Sequence, residues 1–195
     1  WKAFSRSASF EMHLVLKILL GIAAVFYSCL ILLLGIGAFY GLTKNGVDPL
    51  LTINHYLIYW WAFDLVVRYF LQKSPVMNVR PFLTLPLKKT RIVSFLLGKS
   101  ALSFFNLYPS FFFIRFSIVL LLNGYSVPGV IAWHIAAMSL VYGNNYLNLL
   151  INNKNALLLS LAGVMLTLGG LQYYHVLDIT IYTAPLFQGF YDHPY

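Results

Sequence analysis

The sequence predicts an all-α protein: a polytopic transmembrane helix bundle of five to six spans, with a cytoplasmic N-terminus and an interfacial N-terminal helix. Three observations carry this expectation. Hydrophobic residues make up 60% of the 195-residue chain and charged residues only 9%, whereas a soluble domain carries about 25% charged residues. The apolar residues fall into runs of the length needed to cross a hydrocarbon core of about 30 Å, which takes about 20 residues of helix. The basic residues gather in the gaps between those runs.

Residues 1–17, WKAFSRSASFEMHLVLK, come first. Trp1, Phe4, Phe10 and Leu14 recur at roughly helical spacing, with Lys2, Arg6 and Glu11 between them. This pattern suits an amphipathic helix lying in the membrane interface, or an ordinary charged flank to the first span. Span one is expected over residues 18–40. It is rich in glycine, and Gly37 with Gly41 forms a GxxxG. In so apolar a stretch, packing within the chain explains the small residues better than dimerisation does.

Span two is expected over residues 50–71, after a short loop holding Lys44, Asp48 and Pro49. Residues 72–100 form the longest polar segment. They carry Lys73, Arg80, Lys88, Lys89, Arg91 and Lys99 and no acid, and Pro75, Pro81 and Pro86 prevent an early helix. After Pro86 the residues Ile92, Phe95 and Leu96 repeat at helical spacing, which predicts a short surface helix.

Span three is expected over residues 101–122, kinked at Pro109. A turn, NGYSVP, separates it from span four at residues 129–151, which contains His134 and the polar cluster Gly143, Asn144 and Asn145. A second turn at residues 152–155 leads to span five at residues 156–174. A sixth apolar stretch, residues 179–190, is short and broken by Pro185. It either spans, re-enters the bilayer or lies along its surface.

Orientation follows from charge. With the N-terminus inside, one side of the membrane receives Lys2, Arg6, Lys17, the six basic residues of 72–100 and Lys154, ten of the 13 in the chain. The other side receives only Lys44. An excess of Lys and Arg marks the cytoplasmic side. The net charge of +8 is therefore assigned to the bilayer and not to nucleic acid, since no basic face lies outside these gaps.

No pattern of catalysis, cofactor binding or metal ligation emerges. Gly98-Lys99-Ser100 has the ending of a phosphate-binding loop, but the glycine required five residues earlier is Val93. The five histidines, His13, His55, His134, His175 and His193, lack metal-ligand spacing and are expected to be structural or interfacial. Cys29 has no partner for an intrachain disulfide and lies in an apolar run, as a small buried hydrophobe would. The informative polar residues are three. Asp64 and Arg68 lie four apart on one face of span two, where each offsets the other's burial, either to hold the bundle together or to take part in transport. Arg115 stands alone in FFFIRFSIVLLL, to snorkel, to pair with a neighbour, or to meet an anionic lipid or substrate.

Residues 81–125, together with WKAFSRSASF at the start and DITIYTAPLF at residues 178–187, resemble a family of uncharacterised bacterial multi-pass membrane proteins. That family is related to ABC-exporter permeases of the type-two class. The likeness covers the whole chain, which would form roughly the N-terminal half of a family member. The chain opens on Trp1 and not on Met, so a longer parent protein is expected. By position, the resemblance implies that residues 1–17 form the amphipathic helix leading into span one. It also implies that residues 72–100 dock on an ATPase subunit, with Lys88, Lys89, Arg91, Ile92 and Phe95 as contacts. One departure is that proline is usual in the family where this chain has Arg115.

The expected function is thus that of a non-enzymatic permease subunit of an ABC-type exporter in the bacterial cytoplasmic membrane. Its expected partners are membrane lipid, a separate ATPase and a second copy or larger membrane complex. The alternative is a structural or accessory subunit of a larger bacterial membrane complex. A membrane-embedded enzyme is a third reading, and it requires a polar cavity.

Overall fold

The computed structural model describes residues 14–72, 89–151 and 154–194. Among these it contains seven helices: α1 (Leu14–Lys44), α2 (Pro49–Leu71), α3 (Lys89–Ala101), α4 (Phe104–Leu122), α5 (Val127–Ile151), α6 (Asn155–Tyr173) and α7 (Thr180–Asp192). Three stretches are long and apolar enough to cross a membrane: Gly21–Lys44 within α1, all of α2 and all of α4. The 25-residue α5 is as long, but its asparagines and His134 dilute its apolar content. Leu159–Tyr173 within α6 is a shorter apolar stretch.

Local chemistry explains where the helices begin. The Asp48 carboxylate caps α2 by accepting the Leu51 N–H at 2.9 Å, and Pro49 occupies the first turn, where a missing N–H costs nothing. Gly46 and Gly124 turn the chain between α1 and α2 and between α4 and α5. Their φ angles are +73° and +88°, which a residue with a Cβ disfavours. The expected third span starts three residues late, because the chain breaks after Ala101 and restarts with Ser103 as the N-cap of α4. The short helix expected after Pro86 is α3.

Two boundaries differ more. The expected interfacial helix over residues 1–17 lies largely outside the described residues, and its last four residues already belong to α1, which runs on without a break. The sixth apolar stretch forms α7, of 13 residues. At about 1.5 Å per residue that is about 20 Å, short of the ~30 Å core. It packs against α2 and α5.

Helix α5 is the centre of the assembly. It packs against α2, α4 and α7, with lighter contact to α3 and α6, while α1 lies along α4. Trp133, Ala137 and Val141 of α5 are fully buried, surrounded by Leu57, Phe113, Phe116, Leu120 and Phe187. Two aromatic edge-to-face contacts, Trp60–Phe113 at 5.2 Å and Phe113–Trp133 at 6.0 Å, join α2, α4 and α5. Helix α1 comes close to α4 at Gly35, where an added Cβ would lie 2.9 Å from the Phe112 carbonyl oxygen. Gly37 and Gly41 face open space, so the intrachain contact falls to a neighbouring glycine.

Burial is inverted relative to a soluble protein. Ile22, Phe26, Phe63, Phe70, Leu159 and Leu166 are among many large apolar side chains left exposed, while Asn54, Arg68, Asn106, Asn144, Asn145 and Asn148 are sealed inside. Water would penalise that apolar surface, whereas lipid accepts it and leaves polar side chains to pair internally. The chain is built as a helical membrane protein.

Candidate functional site

Arg68 is the centre of a buried polar network that joins four helices, and it is 0% exposed. Its Nε donates to Asp64 Oδ2 at 2.6 Å, one turn back on α2. One terminal nitrogen donates to Asn106 Oδ1 at 2.7 Å and to Gln72 Oε1 at 3.4 Å. The other donates to the Phe105 carbonyl oxygen at 2.6 Å.

This last bond follows from Pro109. A proline four residues after Phe105 has no N–H to give, so the Phe105 carbonyl loses its intrahelical donor. In a membrane such a carbonyl must find another partner, and the guanidinium of α2 supplies it. Pro109 therefore docks α4 onto Arg68. Helix α4 continues through the proline at which a kink is expected, with the freed carbonyl used as a contact.

Asparagines complete the network from α5. Asn144 Nδ2 donates to Asp64 Oδ2 at 2.8 Å and to the Trp61 carbonyl at 2.9 Å. Asp64 Oδ2 thus accepts from both Arg68 and Asn144, while its Oδ1 accepts no hydrogen bond from the described residues. Asn148 Nδ2 reaches the Arg68 carbonyl at 3.4 Å. Asn144 Oδ1 is buried without a donor among the described residues.

Asn145 ties the 72–100 segment to the bundle. Its Oδ1 accepts from Gln72 Nε2 at 2.7 Å, and its Nδ2 donates to Ser100 Oγ. Asn106 Nδ2 donates to the Ala101 carbonyl at 2.9 Å and to the Ser100 carbonyl at 3.2 Å. Both ends of the segment, 28 residues apart in sequence, are therefore held on one side chain.

A second polar cluster sits where α7 meets α2. Asn54 receives Trp133 Nε1 at 2.7 Å and donates to Gln188 at 3.0 Å. Thr180 Oγ1 donates to Asp178 at 2.6 Å and lies 2.9 Å from His55 Nδ1. Since the hydroxyl proton goes to Asp178, His55 must be the donor in that pair. The Thr180 hydroxyl and backbone N–H together hold the Asp178 carboxyl below its ordinary value. His134 pairs with Ser117 at 2.9 Å. No group of three metal-ligating side chains occurs among the described residues. Cys29 is exposed on α1, contrary to the expected buried hydrophobe, because that part of α1 lies away from the other helices.

Of the residues singled out in sequence, Asp64 and Arg68 come together as a buried pair. Arg115 stands apart on the exposed side of α4, beside Gly35. Arg91 and Phe95 are exposed on α3, while Ile92 is buried against the bundle. Lys89 opens α3, and Lys88 lies outside the described residues. Sequence reasoning missed Gln72, Ser100, Asn106 and Asn148 altogether, and it noticed Asn144 and Asn145 without assigning them a partner. The available signal was their spacing: Asn144 and Asn148 repeat at four residues, as do Asp64, Arg68 and Gln72, so each set lines one helix face.

The fold and this network define an all-helical protein of membrane type whose charged pair is locked inside. Residues 1–195 match the family of unknown function DUF5687, and the chain belongs to that family. No curated protein and no solved structure matches it.

Proposed function

We propose that the chain is the membrane-spanning permease subunit of an ABC-type exporter. It works in the bacterial cytoplasmic membrane with its N-terminus inside, and a separate ATPase drives it through residues 72–100. Five helices, α1, α2, α4, α5 and α6, cross the bilayer in this reading, and α7 enters it without crossing. The observation that carries the proposal is the clamp at Asn145. A segment that receives force from a partner must pass it to the spans, and this one has both ends on a single α5 side chain that neighbours the Asp64–Arg68 network. Such a contiguous hydrogen-bonded arrangement moves as a unit. The exposed side of α3 carries Arg91, Val93 and Phe95, a mixed basic and apolar surface of the kind that a groove on a partner accepts.

The test is co-purification of the full-length protein in detergent, where bilayer charge no longer matters. Reversing Lys88, Lys89 and Arg91 to Glu, and separately changing Phe95 to Ser, should each release an ATPase. Ile92 is unsuitable for this purpose, because its burial makes Ile92→Ser a folding variant. If both variants keep the subunit composition of the wild type, the loop binds lipid and not an ATPase. If no ATPase accompanies the intact protein, the reading as an accessory subunit of a larger membrane complex takes its place.

A further inference from the structure

We infer that the slot between α2 and α4 is a binding site for a single-chain amphiphile whose head group donates hydrogen bonds. The backbones of α2 and α4 stay apart, since both pack on α5 and α4 also packs on α1, and the two helices meet through side chains. The gap between them holds two cavities of about 310 and 280 Å³ that share Trp60, Tyr108 and Pro109 as walls, the first of them also walled by Ile31 and Leu34 of α1. They form one slot along residues 53–67 of α2. Fourteen rises of about 1.5 Å give it a length of about 21 Å, more than the ~15 Å depth of one leaflet of a ~30 Å core. An extended acyl chain therefore fits lengthwise.

The walls are almost wholly apolar or aromatic, with one exception. Asp64 lines the inner cavity and is 8% exposed. Its Oδ2 is used twice, by Arg68 and Asn144, while Oδ1 takes no hydrogen bond from the described residues. The Arg68 charge neutralises the carboxylate, so the slot does not demand a cation. It demands a donor, either a hydroxyl or an ammonium. A carboxylate head would set acceptor against acceptor in a site of low polarity, where an unmade hydrogen bond is costly. The Phe105 carbonyl that Pro109 frees is already held by Arg68, which leaves Asp64 as the acceptor offered. This inference concerns binding by the chain alone and does not depend on an ATPase.

The experiment uses the full-length protein in lipid nanodiscs and a photoactivatable sixteen-carbon amine, with labelled residues identified by mass spectrometry at pH 8. Label should concentrate on Tyr56, Trp60 and Tyr108. Hexadecanol and hexadecylamine should compete, and palmitate should compete about tenfold less well, the worth of one hydrogen bond to a charged group. Ile53→Trp, which fills the outer end of the slot, should abolish the focused labelling without touching the polar network. Asp64→Asn, whose amide can also donate, should erase the preference over palmitate. Label spread evenly over the exposed faces of α1 and α6 would overturn the inference, as would unchanged labelling of Ile53→Trp. Equal competition by palmitate in the wild type would overturn the assignment of the head group.

Discussion

If Pro109 docks α4 by freeing a carbonyl for Arg68, two substitutions far apart in sequence must be coupled. Arg68→Leu removes every bond the guanidinium makes and leaves Asp64 without its ion-pair partner, with Asn144 as its remaining donor. Breaking a buried pair from one side costs about 3–5 kcal/mol. Part of that cost is the Phe105 carbonyl, left without a donor, at about 1–3 kcal/mol. Pro109→Ala restores an N–H four residues after Phe105, so in the Arg68→Leu background it returns that carbonyl to its helix. In the wild-type background the same change competes with a bond already made and gains little beyond helix propensity. The double-mutant cycle should therefore show a favourable coupling of about 1–2 kcal/mol. Unfolding of the purified protein in mild detergent, followed by intrinsic tryptophan fluorescence, measures it. A coupling indistinguishable from zero would show that Pro109 and Arg68 act independently and would refute the account.

Three further outcomes follow from the same structure. Gly35→Ala should destabilise the protein by about 1–3 kcal/mol, because its Cβ meets the α4 backbone, while Gly37→Ala and Gly41→Ala should be neutral or slightly stabilising; thermal melts of the three variants decide this. In the proposed orientation, single cysteines at Asn45 and Asn123, in a Cys29→Ser background, should react with an impermeant reagent in intact cells, and those at Ser74 and Lys154 should not; the opposite pattern would invert the topology. Thr180→Val should bring the Asp178 carboxyl part of the way back to its ordinary range, because the backbone N–H at position 180 still donates to it. Because the folded-state value is depressed, the stabilisation from this contact is present above the unfolded pKa and is lost as pH falls through the folded one. The gap in melting temperature between wild type and variant should therefore be full at pH 6 and narrow below about pH 4.

The helices were legible because lipid imposes a simple rule on them. Apolar runs of the right length, broken at Asp48–Pro49, Asn123–Gly124 and Pro128, can do little but form helices with turns between them. The helix after Pro86 was legible from its spacing. Helix α7 was not, since an apolar run with an internal proline reads alike whether it spans, re-enters or lies flat. The structure adds its length, 13 residues, and its neighbours, α2 and α5. The break after Ala101 was hidden because Leu102 is apolar and does not mark a boundary, although Ser103 is an ordinary N-cap.

The site was half legible, and the division has a physical cause. Asp64 and Arg68 are neighbours on one turn, so their pairing can be read from spacing alone. The remaining partners come from other helices, and sequence carries no measure of depth or rotation for an asparagine in an apolar run. The Phe105 carbonyl is the clearest instance. Pro109 announces that a carbonyl will be orphaned and fixes which one, by counting back four residues. What receives it lies 37 residues away in sequence, on a helix whose backbone stays apart from that of α4. The acceptor side of such a contact is thus readable in advance and the donor side is not, but the candidates are few. Within the predicted spans only Arg68 and Arg115 carry charged donors. Arg115 sits on α4 itself, ten residues beyond Phe105, and about 15 Å of helical rise puts that carbonyl out of its reach. Elimination then points to Arg68, and with it to a contact between spans two and three that neither hydropathy nor periodicity contains.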